Sequence, residues 1–385
     1  MRIRLRLALG NFFSAAHFFL IIYIFGPYLS TLMPEAYVGF VISAGAVVSL
    51  SVFPFMPKLV ARFSARRLAV YGGVLEMFIL LGLATAPPVA WVGMALVALA
   101  AGLSPLVVYQ LDLLLEATVA QEGMTGRIRT AFLTAGNVAL ILSPLLVGFL
   151  LGDTELYDRV FLVAAASLLP FIALFVFDHI PEGLPPRVCD IRDTAKCLIW
   201  DADMRAVLCA NIVLQVFYHI APIYTSLYLH AVVGIPWSTL GWMFMIMVIP
   251  FALVEYPAGF ASDRWFGDKE LMATGFIIMG IAFSTIGFLG THTELWFILA
   301  ILVATRIGAA LVEAMTEGHF FRRVSETDAA TVSLFRMARP LSALSAPIAA
   351  SILLSFGGYI TLFAVSGITV AFLGAVTAFL ITDVK

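Results

Sequence analysis

The chain has 385 residues, of which 62% are hydrophobic and only 12% charged, with a formal net charge of −2. Soluble domains carry about 25% charged residues, so this composition excludes an ordinary water-soluble fold. The near-neutral balance gives no electrostatic footprint for nucleic acid, and the cysteines Cys189, Cys197 and Cys209 form neither a disulfide framework nor a zinc pattern.

Twelve apolar stretches follow in chain order, numbered here spans 1 to 12: residues 7–33, 37–59, 68–85, 89–111, 130–151, 160–177, 206–232, 239–260, 271–289, 295–315, 330–354 and 361–381. A helix needs about 20 apolar residues to cross the hydrocarbon core, because lipid offers no partner to a backbone N–H or C=O. Most of the stretches meet that length and the rest come close. The Arg-rich start could pass for a signal peptide, but its apolar run is too long and eleven spans follow, so it is read as a retained first helix. The one long polar loop, 178–205, opens with Pro181, Pro185 and Pro186 and reads as a connector on the membrane surface.

Charge sets the expected orientation. With the N-terminus cytoplasmic, 17 of the 22 Lys and Arg fall in inner segments, against Arg159 alone outside. Lys58, Arg306, Arg336 and Arg339 lie within spans or at their edges. This bias puts both termini and the connector on the cytoplasmic side.

The two sets of six spans repeat at an offset of about 202 residues. His17 in span 1 matches His219 in span 7, and Asp112 and Glu116 in span 4 match Glu313 and Glu317 in span 10. Phe132 and Pro144 in span 5 match Phe335 and Pro347 in span 11. Several matches in register on a chain split six and six point to a duplication. Such halves pack as two bundles with a substrate site between them near the bilayer midplane.

After span 8 the chain reads Gly259-Phe-Ala-Ser-Asp263-Arg264-Trp-Phe-Gly267-Asp-Lys269, which resembles the loop signature of the major facilitator superfamily with one extra residue before the second Gly. The first-half copy, Pro57-x-x-x-Ala61-Arg62-Phe-Ser64-Ala-Arg66-Arg67, lacks both glycines and the Asp. The resemblance implies an all-α integral membrane fold, twelve transmembrane helices forming two pseudo-symmetric six-helix bundles around a central cavity. Residues 1–177 would form the first bundle, 178–205 the connector and 206–385 the second bundle. It further implies a gate in which Asp263 faces a helix N-terminus, aided by Gly259 and Arg264, with Arg62 keeping only the cationic part in the first half. Ser143-Pro144-Leu-Leu-Val147-Gly148 resembles a motif ending of the antiporter branch with two glycines replaced. Pro144 and Pro347 join the gating candidates on that ground.

An ionisable group at bilayer depth costs several kcal/mol unless paired or wetted, so each marks a functional hypothesis. Arg306, Ala310, Glu313 and Glu317 share one helix face, and Pro105, Tyr109, Asp112 and Glu116 form the matching stripe on span 4. Span 7 adds Asn211, Gln215, Tyr218 and His219, and span 1 adds His17. The substrate-binding candidates are Arg306, His219, Tyr218, Gln215, Asn211, His17 and Tyr109. Proton coupling is assigned to Asp112, Glu116, Glu313, Glu317 and Glu76, the last of which must turn inward to find a partner or stay protonated. Arg336 and Arg339 are expected to pair with Glu255 or with the span 10 carboxylates as part of the gate.

No G-x-x-x-x-G-K loop and no H-E-x-x-H motif occurs, so the chain is read as neither an ATPase nor a metallopeptidase, and no cofactor or metal is expected. The resemblance implies a secondary transporter that moves a small solute by alternating access, driven by protons. Drug or metabolite efflux and organic-anion transport both remain open. The rival is a receptor or scaffold on the same fold. A monomer in the cell membrane is expected, its partners being a small-molecule substrate, protons and the lipid bilayer, without nucleic acid.

Overall fold

The computed structural model describes residues 2–85, 89–122, 125–177, 200–264, 266–323 and 329–382. Within them, the side chains of 2–4, 116, 119–122, 125–130, 255, 256, 263, 329, 330 and 333 fall outside the description. The expected connector over 178–199 and the side chains of Glu116, Asp263 and Glu255 therefore lie outside it as well.

Eleven helices among the described residues are long and apolar enough to cross a membrane. The last of these, Leu334–Phe379, has 46 residues, about 69 Å of helix at 1.5 Å per residue. That is twice the thickness of the hydrocarbon core, and the backbone breaks inside it, at Gly357 (φ −153°) and Gly358 (φ 67°, ψ −165°). Only glycine adopts the second conformation without strain. A two-glycine turn thus joins spans 11 and 12 where the sequence led us to expect a loop over 355–360, and the chain makes twelve passes.

Span 7 is the helix Ala202–Leu227 followed by a π turn at Tyr228–Val232. It begins four residues before the expected start because Asp201 caps it, accepting from the N–H groups of Asp203 at 2.9 Å and Met204 at 3.3 Å. Span 8 is one helix, Trp237–Arg264. Residues 261–264, expected in a loop, therefore form its last turn. Span 1 is interrupted between Arg2–Ile22 and Phe25–Ser30, and span 2 changes to a 3-10 turn at Phe53–Phe55, where Pro54 and Pro57 remove backbone donors.

The chain forms two compact units. The first holds Met1–Arg187 together with Ile235–Met245, so it includes the beginning of span 8. In it span 1 packs on spans 5 and 6, span 3 on spans 4 and 6, and span 2 on span 4. Spans 2 and 4 meet at Gly45 and Gly102, where a Cβ on either would lie 2.6 Å from the facing backbone oxygen. The second unit holds Val188–Gly234 and Ile246–Lys385, with span 7 against Ala338–Phe379 and span 9 between that helix and span 10.

Candidate functional site

In the second unit, spans 7 and 10 bring together the polar residues singled out from the sequence. The Tyr218 hydroxyl donates to Glu313 Oε2 at 2.6 Å. One residue earlier on span 7, the Phe217 ring lies under the Arg306 guanidinium, 5.1 Å from its centroid. Arg306 is 5% exposed, and its delocalised charge is weakly enough hydrated to rest on an aromatic face. Phe217 in turn meets Phe283 edge-on at 5.1 Å, and Tyr218 meets Phe251 at 6.1 Å. One cation and one carboxylate about two turns apart on span 10 are thus walled by aromatic rings.

The other span 7 candidates hold the scaffold around that pair. His219 Nδ1 lies 2.7 Å from the Gln215 carbonyl oxygen one turn back, which fixes the ring by a local contact. Gln215 Nε2 donates to Asn211 Oδ1 at 3.5 Å, and Asn211 Nδ2 donates to the Phe335 carbonyl at 3.1 Å. The same hook recurs in the first unit, where Asn11 Nδ2 donates to the Phe132 carbonyl at 2.8 Å. The repeat seen in the sequence is therefore carried by a matching side-chain-to-backbone hydrogen bond within each unit.

His17 and His219 match in sequence yet differ in surroundings. His17 is 1% exposed, and its Nε2 sits 3.0 Å from Oε1 of Glu76, which is fully buried. Ser104 on span 4 donates to the same carboxylate oxygen. Glu76 does turn inward, and its partner is the histidine expected on the substrate stripe. Each side chain is thus the buried polar partner of the other, and breaking such a pair strands the group that remains. Position 278, which corresponds to Glu76 in the second half, is Ile, so the second unit has no copy of the pair.

Tyr109 packs edge-on against Phe53 at 5.6 Å, and Asp112 is exposed.

A model of the Major Facilitator Superfamily matches residues 206–385. The fold matches a point mutant of the nucleoside transporter NupG with a TM-score of 0.77 over 98% of both chains at 15% identity. The second half of the chain thus resembles the major facilitator superfamily in sequence, and the chain shares the fold of these transporters. A bacterial homologue of the iron transporter ferroportin in its inward-facing state matches with a TM-score of 0.74 over 98% of both chains at 14% identity. A point mutant of the peptide transporter POT in complex with alafosfalin matches with a TM-score of 0.74 over 98% of this chain and 93% of that one at 15% identity. A search of curated proteins by sequence finds no match. The protein is thus a multi-pass membrane protein of the major facilitator fold.

The facilitator signature is spread unevenly over this chain. Arg264 stacks over Phe260 at 4.4 Å, and Arg62 over Phe63 at 5.2 Å. Gly259 stands in open space, so its helical turn does not require a glycine. Ser64, in the place of the signature's second glycine in the first half, has φ 66° and ψ 152°. It is the only non-glycine residue with positive φ among those described. Gly267, the glycine kept in the second half, has φ −86°. The first half lost the glycine its backbone needs; the second half kept one it does not. Arg336 Nη1 reaches Glu317 Oε1 at 3.2 Å, one of the span 10 carboxylates expected to receive it, whereas Arg339 is exposed. Pro347 offers its carbonyl to the Tyr224 hydroxyl at 3.3 Å.

In the first unit, span 5 and the start of span 8 cross in backbone contact. A Cβ on Gly148 would lie 2.7 Å from the Trp237 carbonyl oxygen and 2.8 Å from Gly241 Cα. One on Gly241 would lie 2.7 Å from Gly148 Cα and 2.9 Å from the Pro144 carbonyl oxygen. That oxygen faces Gly241 at the gating candidate Pro144. Beside the crossing, Ser238 donates from its N–H to the Gly152 carbonyl at 3.0 Å and from its hydroxyl to Asp153 at 3.0 Å.

Reasoning from sequence missed an ionic cluster in the second unit. His319, fully buried on span 10, places Nε2 2.9 Å from Asp203 Oδ2 on span 7 and Nδ1 2.9 Å from Asp268 Oδ2 on span 9. Arg323 reaches Asp203 at 3.1 Å, while Arg322 and Ser262 bond Asp268. Asp203 also accepts from the N–H of Thr382, just beyond span 12. Spans 7, 8, 9 and 10 and the residue just beyond span 12 are tied by one imidazole and two carboxylates. The available signal was a His and two Arg closing span 10 while an Asp opened each of spans 7 and 9.

Proposed function

We propose that this facilitator carries a small organic anion with an apolar body, coupled to protons. Arg306 pairs with the anionic group, the rings of Phe217 and Tyr218 receive the apolar part, and Glu313 carries the proton. The observation that supports this most is the placement of a buried guanidinium over Phe217 about two turns from a carboxylate held by the Tyr218 hydroxyl. A buried cation needs an anion nearby. In the empty carrier Glu313 supplies that charge from further along the helix. When a substrate carboxylate takes over beside Arg306, Glu313 accepts a proton and the site stays close to neutral. One anion then crosses with one proton, and neither crosses alone at low cost.

The crossing of Gly148 and Gly241 acts as the outer gate and must part to admit solute from that side. Asp263, Arg264, Arg62, Arg336 and Arg339 serve the cytoplasmic gate, with both termini cytoplasmic in the cell membrane and the two halves, 1–177 and 206–385, rocking about the site. Asn211, Gln215 and His219 hold span 7 in register, Tyr109 and Asp112 line the first-half stripe, and His17 with Glu76 forms a second protonatable pair. A thermal-shift screen of purified protein against small organic carboxylates tests this reading. Carboxylates should raise the wild-type melting temperature and leave Arg306→Ala unmoved; a panel that stabilises both equally would remove Arg306 from the binding site.

A further inference from the structure

A groove of about 320 Å³ opens in the first unit between spans 2, 3 and 4. Its walls are Val48 and Val52 on span 2, Leu75 and Ile79 on span 3, and Leu103 and Val107 on span 4. Leu75 is half exposed, so the groove is open toward the surface that lipid covers. Tyr71, Leu75 and Ile79 follow at steps of four along span 3, and Arg67 is the next member of that row. Arg67, Lys58 and Arg62 are exposed, and Arg66 is half-buried, all where span 2 turns into span 3. From Arg67 to Ile79 the helix rises about 18 Å, roughly the depth of one leaflet with its headgroup region.

We propose that this groove binds one anionic phospholipid, an acyl chain lying along Leu75 and Ile79 and the phosphate resting on Arg67 and its basic neighbours. Two features independent of each other meet here. An apolar slot about a leaflet long suits any diacyl lipid, but four Lys and Arg at one end of it favour a headgroup of net negative charge. The Tyr71 ring, edge-on to Phe63 at 6.4 Å, stands at the level where amphipathic aromatic side chains sit between headgroup and hydrocarbon. Bound there, the lipid would also span the junction at Ser64, tying the ends of spans 2 and 3 through one phosphate.

The test is native mass spectrometry of the full-length protein, titrated separately with phosphatidylglycerol and with phosphatidylcholine of the same acyl chains. Wild type should retain phosphatidylglycerol in preference. Arg67→Gln should weaken that lipid about fivefold, the effect of one basic residue at a membrane surface, and leave phosphatidylcholine unchanged. Leu75→Trp, a surface substitution that fills the slot, should weaken both lipids. Equal retention of the two lipids by wild type, or an Arg67→Gln protein that still prefers phosphatidylglycerol as wild type does, would overturn the proposal.

Discussion

If span 5 must separate from the start of span 8 for solute to enter, a side chain placed at their crossing should hold them apart. A Cβ on Gly241 would sit 2.7 Å from Gly148 Cα and 2.9 Å from the Pro144 carbonyl oxygen. Carbon atoms rest at about 3.5–4.0 Å, so the helices must move apart by roughly 1 Å for alanine and further for leucine. Both opposing atoms are backbone and cannot swing away. Overpacking of this kind costs about 1–3 kcal/mol, a shift of about 5- to 150-fold in the ratio of crossed to parted forms. The reporter is Tyr23→Cys in a chain whose native cysteines are serine, because Tyr23 is 4% exposed and stacks on Phe244 at 5.1 Å just inside the crossing. Labelling of that cysteine by an impermeant maleimide should rise at least fivefold with Gly241→Ala and more with Gly241→Leu. Labelling that stays at the parent rate in folded Gly241→Leu protein would refute the reasoning, because the crossing would then have relaxed without cost.

Three further outcomes follow from other parts of the chain. Ser64→Gly should stabilise the protein by about 1 kcal/mol or more, since φ 66° and ψ 152° at that residue form a conformation that costs a side chain about 1–3 kcal/mol; a lower melting temperature in detergent would contradict this. His319→Ala should cost about 3–5 kcal/mol, because it leaves Asp203 and Asp268 buried without the imidazole between them; thermal unfolding measures it, and a loss under about 1 kcal/mol would show that Arg322 and Arg323 suffice. His17→Leu and Glu76→Leu should each destabilise more than the double variant does, because removing one partner strands the other and removing both strands neither; a double variant as unstable as the two singles added together would mean the groups are not coupled.

The spans were legible in the sequence because lipid imposes one requirement on every crossing segment, a long apolar run. The turn between spans 11 and 12 falls inside the 355–360 gap read from the sequence, where Gly357 and Gly358 suffice to reverse the chain. The duplication was legible residue by residue, and the Asn11 and Asn211 hooks onto Phe132 and Phe335 give it a physical meaning. Local spacing also put Arg306 and Glu313 on one face. It could not reveal that Tyr218, 95 residues away, holds Glu313, nor that His17 meets Glu76 across two helices. The Asp203, His319 and Asp268 cluster escaped for the same reason. Each member sits at a span end, where a charged residue is ordinary until tertiary packing joins it to the others.

The most direct test of coupled anion transport is accumulation in proteoliposomes under an imposed pH gradient, using the organic carboxylate that most stabilises the wild-type protein. The wild type should concentrate that carboxylate on the alkaline side. Glu313→Gln should exchange it across the membrane at close to the wild-type rate yet fail to concentrate it, and Arg306→Ala should do neither. A Glu313→Gln protein that accumulates the carboxylate as fast as wild type would contradict the account and move the proton to another group, Glu76 with His17 being the next to examine.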